Sequence, residues 1–389
     1  MKSNYEALGK HIRLVDYRNS EEVTSTVLGI SIDKEFMPSV ANVIGTDLSR
    51  YKLISKGLFA CNPMHVGRDE RLPIALYENE EPAIVSPAYF MFEIIDRTVL
   101  NEEYLMMWFR RPEFDRECWF MTDGSVRGGI TWDDLCRIQL PVPPYERQLD
   151  VVESYRAITR RIAMKKEIND NLEATAQAVF REQFASFYGA DELPDGYRII
   201  NLDNLCTVKG GKRLPADCKL LDTPTDHPYI RVRDVGSNRY VCLTNQFQYI
   251  DEETYSAISR YIVNTGDIVI SIVGTIGLLG KIHSSLDKAN LTENCVKLAN
   301  IHTVTSDYLY YTLCYKKQIK EIDLLTVGAV QAKLPMYNIQ SMKILVPPTK
   351  AIEAFQRKMN VLNEQIEANT VEIQKLYELE EVLLAKLSD

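Results

Sequence analysis

The sequence predicts an α+β protein with two repeated α/β domains, separated by two long antiparallel helices that form a coiled coil with pseudo-twofold symmetry. Three observations support this fold class. An internal repeat runs at a constant offset, a 3.5-residue apolar period follows each Val-Pro-Pro sequence, and β-branched runs are bounded by glycine turns. We therefore expect globular domains at 1–144 and 187–348, and helices at 145–186 and 349–389.

The repeat relates residues 124–144 to residues 328–348 without a gap, at the offset of 204 that separates Tyr104 from Tyr308. Identical residues recur at this offset: Gly124 and Gly328, Val126 and Val330, Val142 and Val346, Pro143 and Pro347, and Pro144 and Pro348. A constant register over this distance predicts two copies of one unit, each a β-rich domain followed by a helix.

In the second copy, strands are predicted at 229–232, 267–273, 278–283 and 294–298, with a helix at 306–322. The glycine turn at 274–277 joins two of these strands as a hairpin. In the first copy, we expect strands near 58–62 and 88–95 and a helix at 101–110.

The segment after each Val-Pro-Pro sequence predicts a long helix, because neither contains Gly or Pro. Seam positions recur at steps of four and three: Val151, Tyr155, Ile158, Ile162, Lys165, Asn169, Leu172, Ala176 and Val179, then Phe355, Met359, Leu362, Ile366, Asn369, Ile373, Leu376, Glu380, Leu383 and Leu387. Paired antiparallel, the helices would form a spacer of about 60 Å at 1.5 Å per residue. Two unrelated amphipathic helices lying on separate cores are the alternative.

Composition limits the classes of function. Hydrophobic residues make up 46% and charged residues 25%, as in folded globular domains. The polar N-terminus and short apolar runs predict a cytoplasmic protein without a leader or a membrane span. The eight cysteines and five histidines show no metal-ligand spacing, so we expect reduced thiols, no metal and no cofactor. The net charge of −9 opposes nucleic-acid binding by the chain alone, so any binding to DNA would need a partner that supplies phosphate contacts.

Basic and amide side chains in loops are the candidate DNA contacts, because Arg reads guanine, Gln reads adenine and Lys binds phosphate. The candidates are Arg68, Arg71 and Arg127 in the first copy, and Lys212, Arg213, Arg231, Arg233, Thr275, Gln331 and Lys333 in the second. We expect Arg231 and Arg233 to share one face of a strand. Arg127 and Gln331 occupy the same repeat position but differ in kind, which suits readers of different half-sites. Ordinary solvated surface charge is the alternative for each.

Several segments resemble the specificity subunits of Type I restriction-modification systems. They are QLPVPPYERQ (139–148), IAMKKEINDNLEATAQAVFREQF (162–184), GDIVISIVGTIGLLGKI (266–282), LTENCVKL (291–298) and MKILVPP (342–348). The resemblance implies two target recognition domains, each reading one half of a bipartite double-stranded DNA site. It also implies that the helices set the half-site spacing and bind two methyltransferase subunits.

The same resemblance implies that this chain is not an enzyme. S-adenosylmethionine would belong to the methyltransferase subunit, and ATP-driven cleavage to a separate restriction subunit. The residues agree, because Val142-Pro143-Pro144-Tyr145 has an apolar residue where an adenine methyltransferase loop needs Asp, Asn or Ser. The runner-up interpretation is a non-catalytic coiled-coil scaffold that binds protein partners and not DNA.

Overall fold

The computed structural model describes residues 5–39, 45–64, 66–122, 128–190, 192–236, 238–244, 247–328 and 332–388. The chain forms two compact units. The first contains residues 1–164 and 375–389, and the second contains residues 165–374. Both boundaries fall inside long helices.

The first unit carries three small sheets with strand orders β1-β10, β2-β9-β6-β7 and β4-β3-β8-β5. Its elements are β1 (Tyr5–Ala7), β2 (Ile12–Leu14), β3 (Val27–Ile30), β4 (Phe36–Pro38), β5 (Lys52–Ile54), β6 (Phe59–Cys61), α1 (Val66–Asp69), β7 (Ile74–Leu76), β8 (Ala83–Val85), β9 (Phe90–Ile94), α2 (Glu102–Phe109), α3 (Pro112–Phe120), α4 (Trp132–Arg137), β10 (Gln139–Pro141) and the first part of α5 (Tyr145–Phe184). The core lies between α2, α3 and the β2-β9-β6-β7 sheet, around Phe59, Phe92 and Phe109.

The second unit has sheets with strand orders β11-β20, β12-β19-β16-β17-β14 and β15-β13-β18. Its elements are the rest of α5, β11 (Arg198–Asn201), β12 (Thr207–Gly210), β13 (Pro228–Ile230), β14 (Tyr240–Val241), β15 (Gln248–Tyr249), α6 (Glu252–Ile258), β16 (Ile268–Ser271), β17 (Leu279–Ile282), β18 (Asn290–Leu291), β19 (Cys295–Ala299), α7 (Ser306–Cys314), α8 (Lys316–Leu325), α9 (Met336–Ser341), β20 (Lys343–Val346) and most of α10 (Thr349–Ala385).

The predicted α+β repeat is confirmed, because the two units share one topology. Strand order β2-β9-β6-β7 recurs as β12-β19-β16-β17, and the parallel pair β3-β8 recurs as β13-β18. Helices α2, α3, α4 and α5 begin 204 residues before α7, α8, α9 and α10. A side-chain contact recurs as well: the Tyr104 hydroxyl donates to the Pro141 carbonyl (3.2 Å), and the Tyr308 hydroxyl donates to the Leu345 carbonyl (2.7 Å).

Helices α5 and α10 pack antiparallel within the second unit. The rings of Phe180 and Phe355 lie 6.0 Å apart. Further along, Lys165 Nζ donates to Asn369 Oδ1 (2.9 Å), and Asn369 Nδ2 donates to Asn169 Oδ1 (2.8 Å). These three polar residues all occupy predicted positions in the middle of the seam, and their mutual hydrogen bonds fix its register. In the first unit, Leu384 and Leu387 of the chain end join the core.

One predicted helix is wrong in extent. Residues 306–322 form two helices, α7 and α8, because Tyr315 has an extended backbone (φ −72°, ψ 137°). Its ring packs against Tyr188 at 4.9 Å and Phe180 at 6.2 Å, which favours the break. In the first unit the same break is visible in the sequence, since Pro112 starts α3.

Candidate nucleic-acid interface

The loops of the five-stranded sheet in the second unit meet at one edge. Gly210 at the end of β12 pairs with Val296, and Ser271 at the end of β16 pairs with Cys295, so both strands end beside the start of β19. Residues 332–336 join this edge, because Leu334 N–H donates to the Ile272 carbonyl (3.0 Å). We call residues 211–213, 272–278, 292–294 and 332–336 the loop edge.

Gly211 determines the position of the predicted basic loop. A Cβ at this position would overlap the Leu291 and Thr292 carbonyl oxygens, so only glycine fits. The Lys212 N–H donates to the Leu291 carbonyl (2.8 Å), and both Lys212 and Arg213 are exposed. Arg213 Nε lies 2.7 Å from Glu293 Oε1, and this hydrogen bond raises the pKa of Arg213.

Thr275 and Lys333 are brought together at the same edge. Gly274 and Gly277 both have a φ of 82°, which confirms the predicted hairpin turn between β16 and β17. Lys333 forms β-bridges with Val273 beside this turn and with Val327. Thr275 and Lys333 are both exposed. Gln331 lies outside the described residues.

The expectation for Arg231 and Arg233 is wrong, because strand β13 ends at Ile230 and a 3-10 turn follows at Val232–Asp234. The Asp234 carboxylate accepts from the Arg231 N–H (2.8 Å) and binds its guanidinium at 3.0 Å, so it caps the turn. Arg231 is therefore held within the protein, whereas Arg233 is exposed, with its Nε 3.8 Å from Asp234. No Gly or Pro directly follows Ile230 to mark the end of the strand. The sequence analysis therefore predicted neither the turn nor its capping carboxylate.

The first unit repeats a backbone hydrogen bond of the loop edge. Ile130 N–H donates to the Pro63 carbonyl (3.2 Å), which matches the bond between Leu334 and Ile272. Arg68 in α1 forms two hydrogen bonds with Asp69, at 2.7 and 2.8 Å. Arg71 Nη1 lies 3.2 Å from Asp33. Arg127 lies outside the described residues.

The carboxylates that pair with three of the candidate arginines were not predicted from the sequence. Arg68, Arg71 and Arg213 are exposed, and each forms an ion pair with an Asp or Glu. Exposed ion pairs contribute about 0–1 kcal/mol, so these pairs add little to the stability of the fold. Only Asp69 was close enough in sequence to suggest its partner; Glu293 meets Arg213 through the sheet register.

A buried ionic cluster joins the five-stranded sheet of the second unit to α10. In this Asp307 cluster, the carboxylate of Asp307 bonds Arg239 and Lys281, and accepts from Gln356 (2.6 Å) and Asn363 (2.7 Å) of α10. Burial alone would raise the pKa of Asp307, but the charges of Lys281 and Arg239 outweigh it and hold that pKa well below its usual value. The cluster joins β14, β17 and α7 to α10.

Other classes of site find little support in the residues described. No group of three or more potential ligands could hold a metal ion in the described part of the chain. Within that part, no helix has the length and apolar character needed to cross a membrane. The cysteines form no disulfide, and burial raises the pKa of thiols such as Cys206, to about 12.

Residues 194–382, which contain the whole loop edge, match the family model for the Type I restriction modification DNA specificity domain. The chain is also 20% identical over 448 aligned residues to the Type I restriction enzyme HindI specificity subunit of Haemophilus influenzae, covering 96% of this chain and 95% of that protein. Residues 194–382 therefore form a DNA specificity domain of the Type I restriction-modification family, and the chain as a whole is similar to the specificity subunits of these systems. Residues 1–164 of the first unit lie outside the matched segment but repeat the topology of the second unit.

Two further specificity subunits extend the likeness. The MjaIX specificity subunit of Methanocaldococcus jannaschii is 21% identical over 314 residues, covering 76% of this chain and 70% of that protein. The crystal structure of a Type I restriction-modification S subunit from M. genitalium superposes with a TM-score of 0.50 at 14% identity. That superposition covers 98% of this chain and 95% of the other. This structural similarity supports the fold of the chain.

Proposed function

We propose that this specificity subunit reads a bipartite double-stranded DNA target, with one half-site contacted by each target recognition domain. The proposal rests on a backbone hydrogen bond that recurs in both copies while the nearby side chains differ. The bond from Leu334 to Ile272 recurs between Ile130 and Pro63, yet three residues before Leu334 and Ile130 the sequence has Gln331 in one copy and Arg127 in the other. A common frame with different side chains suits two half-sites of different sequence.

The recognition domains in this proposal are residues 1–144 and 187–348, and the helices are 145–186 and 349–389. The helices set the distance between half-sites, since a 40-residue helix measures about 60 Å. A fixed spacer would make the target two short sequences separated by a constant number of unread base pairs.

We further propose that the helices dock two methyltransferase subunits, through which the restriction subunit joins the complex. Large apolar residues outside the seam support this docking, because exposed apolar surface marks interaction sites. They are Met164 and Ile168 on α5, and Val361, Leu379 and Val382 on α10. The net charge of −9 gives a second reason for a partner, which would supply phosphate contacts. The chain itself then catalyses no reaction and binds no cofactor.

Methylome sequencing tests the proposal directly. The chain is expressed with its methyltransferase subunit in a host that lacks both, and the methylated motif is read. We expect an asymmetric motif of two parts with a constant gap, which disappears when this chain is omitted. A complex that assembles but methylates DNA without sequence preference would favour the scaffold interpretation.

Helix length provides a second test. Seven residues added to both α5 and α10 keep the apolar faces aligned and lengthen each helix by about 10.5 Å. The gap should grow by about three base pairs, at about 3.4 Å per pair, while both half-sites keep their sequence. The control replaces seven exposed residues in each helix without changing its length. An unchanged gap in the longer variant would contradict the spacer role.

Single substitutions separate base reading from phosphate binding. Gln331→Ala and Arg127→Ala should each relax the motif in one half-site only, because each removes a side chain that can bond a base edge. Equal weakening on every DNA sequence would instead make the residue a phosphate contact.

A further inference from the structure

One exposed arginine of the loop edge is held by a carboxylate through a single nitrogen of its guanidinium. Arg213 Nε donates to Glu293 Oε1 at 2.7 Å, and the side chain of Arg213 is 81% exposed. Among the residues that the structure describes, none accepts a hydrogen bond from Nη1 or Nη2 of Arg213. The edge formed by these two nitrogens therefore keeps its donors for another molecule.

A second arginine of the same unit shows the contrasting arrangement. Arg231 binds Asp234 through Nε and Nη2, both at 3.0 Å, and binds Gln248 through Nη1. Both edges of its guanidinium are used within the protein, and its side chain is only 15% exposed. Arg231 is therefore bound inside its domain, whereas Arg213 presents one edge to the solvent.

The backbone that carries Arg213 is anchored to the neighbouring strands. Both backbone polar groups of the preceding residue are bound: the Lys212 N–H donates to the Leu291 carbonyl (2.8 Å), and the Lys212 carbonyl accepts from the Tyr229 hydroxyl (2.8 Å). Arg213 directly follows this anchored residue, so its side chain starts from a fixed point of the loop edge.

The carboxylate that holds Arg213 is fixed as well. Glu293 Oε2 accepts from the Thr292 hydroxyl (3.0 Å), and the Thr292 N–H donates to the Ile230 carbonyl (3.0 Å). On the other side, the Asn294 carbonyl accepts from the N–H of residue 272 (2.8 Å). A guanidinium held through Nε by a fixed acceptor has less side-chain freedom to lose when it binds a ligand.

The charge of the loop edge favours DNA as the ligand. The edge carries Lys212, Arg213 and Lys333 against the single carboxylate of Glu293, a net charge of +2 in a chain whose net charge is −9. Basic groups gathered in one place attract a polyanion even where the protein as a whole is acidic.

The pairing with Glu293 makes a base edge a better target for Arg213 than a phosphate. The pair has no net charge, and a phosphate brought beside Arg213 would also approach the carboxylate, which repels it. The major-groove edge of guanine is uncharged and offers two acceptors, N7 and O6, which an arginine bonds with two donors at once. The Nη1–Nη2 edge of Arg213 provides two such donors.

We propose that Arg213 reads a guanine in the half-site contacted by the second recognition domain, and that Glu293 is the positioning residue that orients its Nη1–Nη2 edge. The inference rests on the proposed DNA-reading function and names one base together with the two residues that select it. It makes a G·C pair a required part of that half-site.

The test uses the full chain assembled with its methyltransferase subunit, and duplexes that the complex selects from a randomised pool. At one G·C pair of the wild-type selection, Arg213→Ala should remove the preference and weaken binding about tenfold. Arg213→Lys should lose as much, because lysine keeps the charge but lacks the two-nitrogen fork. The slope of log affinity against log salt should stay unchanged in both variants, since no phosphate contact is lost.

Variants of Glu293 test the positioning role. Glu293→Ala leaves Arg213 without its acceptor and should weaken the preference at the same G·C pair about threefold, the cost of ordering one long side chain. Glu293→Gln keeps an acceptor oxygen and should retain the preference. Melting temperatures should stay close to wild type in both, because an exposed ion pair adds little stability. The control is Arg198→Ala, which removes an exposed arginine of strand β11, outside the loop edge, and should change no readout.

Three results would overturn the assignment. One is an unchanged preference at every position in Arg213→Ala. Another is near-wild-type binding by Arg213→Lys together with a reduced salt slope in Arg213→Ala, which would make Arg213 a phosphate contact. The third is poor assembly of Arg213→Ala with the methyltransferase while assembled complexes keep the guanine preference, which would make this edge a protein contact. If the wild-type complex selects no sequence at all, the proposed function itself fails, whereas a bipartite selection that Arg213→Ala leaves intact removes only this inference.

Discussion

Replacing Asp307 with asparagine tests whether the Asp307 cluster stabilises the contact between the sheet of the second unit and α10. The substitution keeps the shape of the side chain but removes the negative charge between Lys281 and Arg239. The side chains of Asp307, Arg239 and Lys281 are only 5%, 3% and 8% exposed. Leaving buried charges uncompensated costs about 3–5 kcal/mol. For a unit of this size we expect a fall in melting temperature of about 6–20 °C.

The repeat supplies a matched control for this substitution. Glu103 occupies the position of Asp307 in the first unit and pairs with Arg156, whose side chain is 57% exposed. An exposed pair contributes about 0–1 kcal/mol, so Glu103→Gln should have a small effect. All three tryptophans, Trp108, Trp119 and Trp132, belong to the first unit, so tryptophan fluorescence follows that unit while circular dichroism follows both.

The stability difference should depend on pH in a defined direction. The folded-state pKa of Asp307 lies below its unfolded value of about 3.9, so its charge stabilises the fold above that pH. This contribution is lost as the pH falls from about 4 toward the folded-state pKa. The gap between wild type and Asp307→Asn should therefore be full at pH 7 and narrow at pH 3. A cost no greater than that of Glu103→Gln, or a gap unchanged at pH 3, would refute this reasoning.

Three further substitutions probe the core and the loop edge. Phe180→Ala opens the aromatic cluster around Tyr308 and Phe355 and should cost about 3–5 kcal/mol in urea unfolding, against under about 0.5 kcal/mol for the exposed Ile199→Ala. Gly211→Ala should displace the basic loop and weaken DNA binding in a gel-shift assay, whereas Gly29→Ala, which meets no atom within 4 Å, should not. Lys333→Ala should reduce the slope of log affinity against log salt by about 0.9 if Lys333 binds a phosphate, and Lys350→Ala should leave the slope unchanged.

The elements that the sequence predicted well are those with local causes. Both long helices begin directly after a Pro-Pro pair, at Tyr145 and Thr349. The β16-β17 hairpin follows from two glycines, Gly274 and Gly277, that adopt positive φ. The offset of 204 also relates the helices from α2 to α5 to the helices from α7 to α10.

The features that the sequence analysis did not predict depend on contacts between residues that are distant in the sequence. The buried seam includes Val152 and Phe180, one residue beyond the predicted Val151 and Val179. At these ends the helices pack on the globular cores as well as on each other, so a strict 3.5-residue period no longer describes them. The Asp307 cluster was equally hidden, because its members lie far apart in the sequence.

The two copies keep the same apolar framework but anchor it with different polar groups. In the first unit, the buried Gln148 of α5 donates to the Val99 carbonyl (2.8 Å) and accepts from the Asn101 N–H (2.9 Å). The matching residue in α10 is the apolar Ile352, and the second unit instead uses the Asp307 cluster. Both arrangements join the domain to the start of the helix that follows it. Because the first unit uses Gln148 and the second unit uses the Asp307 cluster, the shared topology does not depend on one set of polar residues. The loops above it are then free to carry different side chains, which a protein reading two unlike half-sites requires.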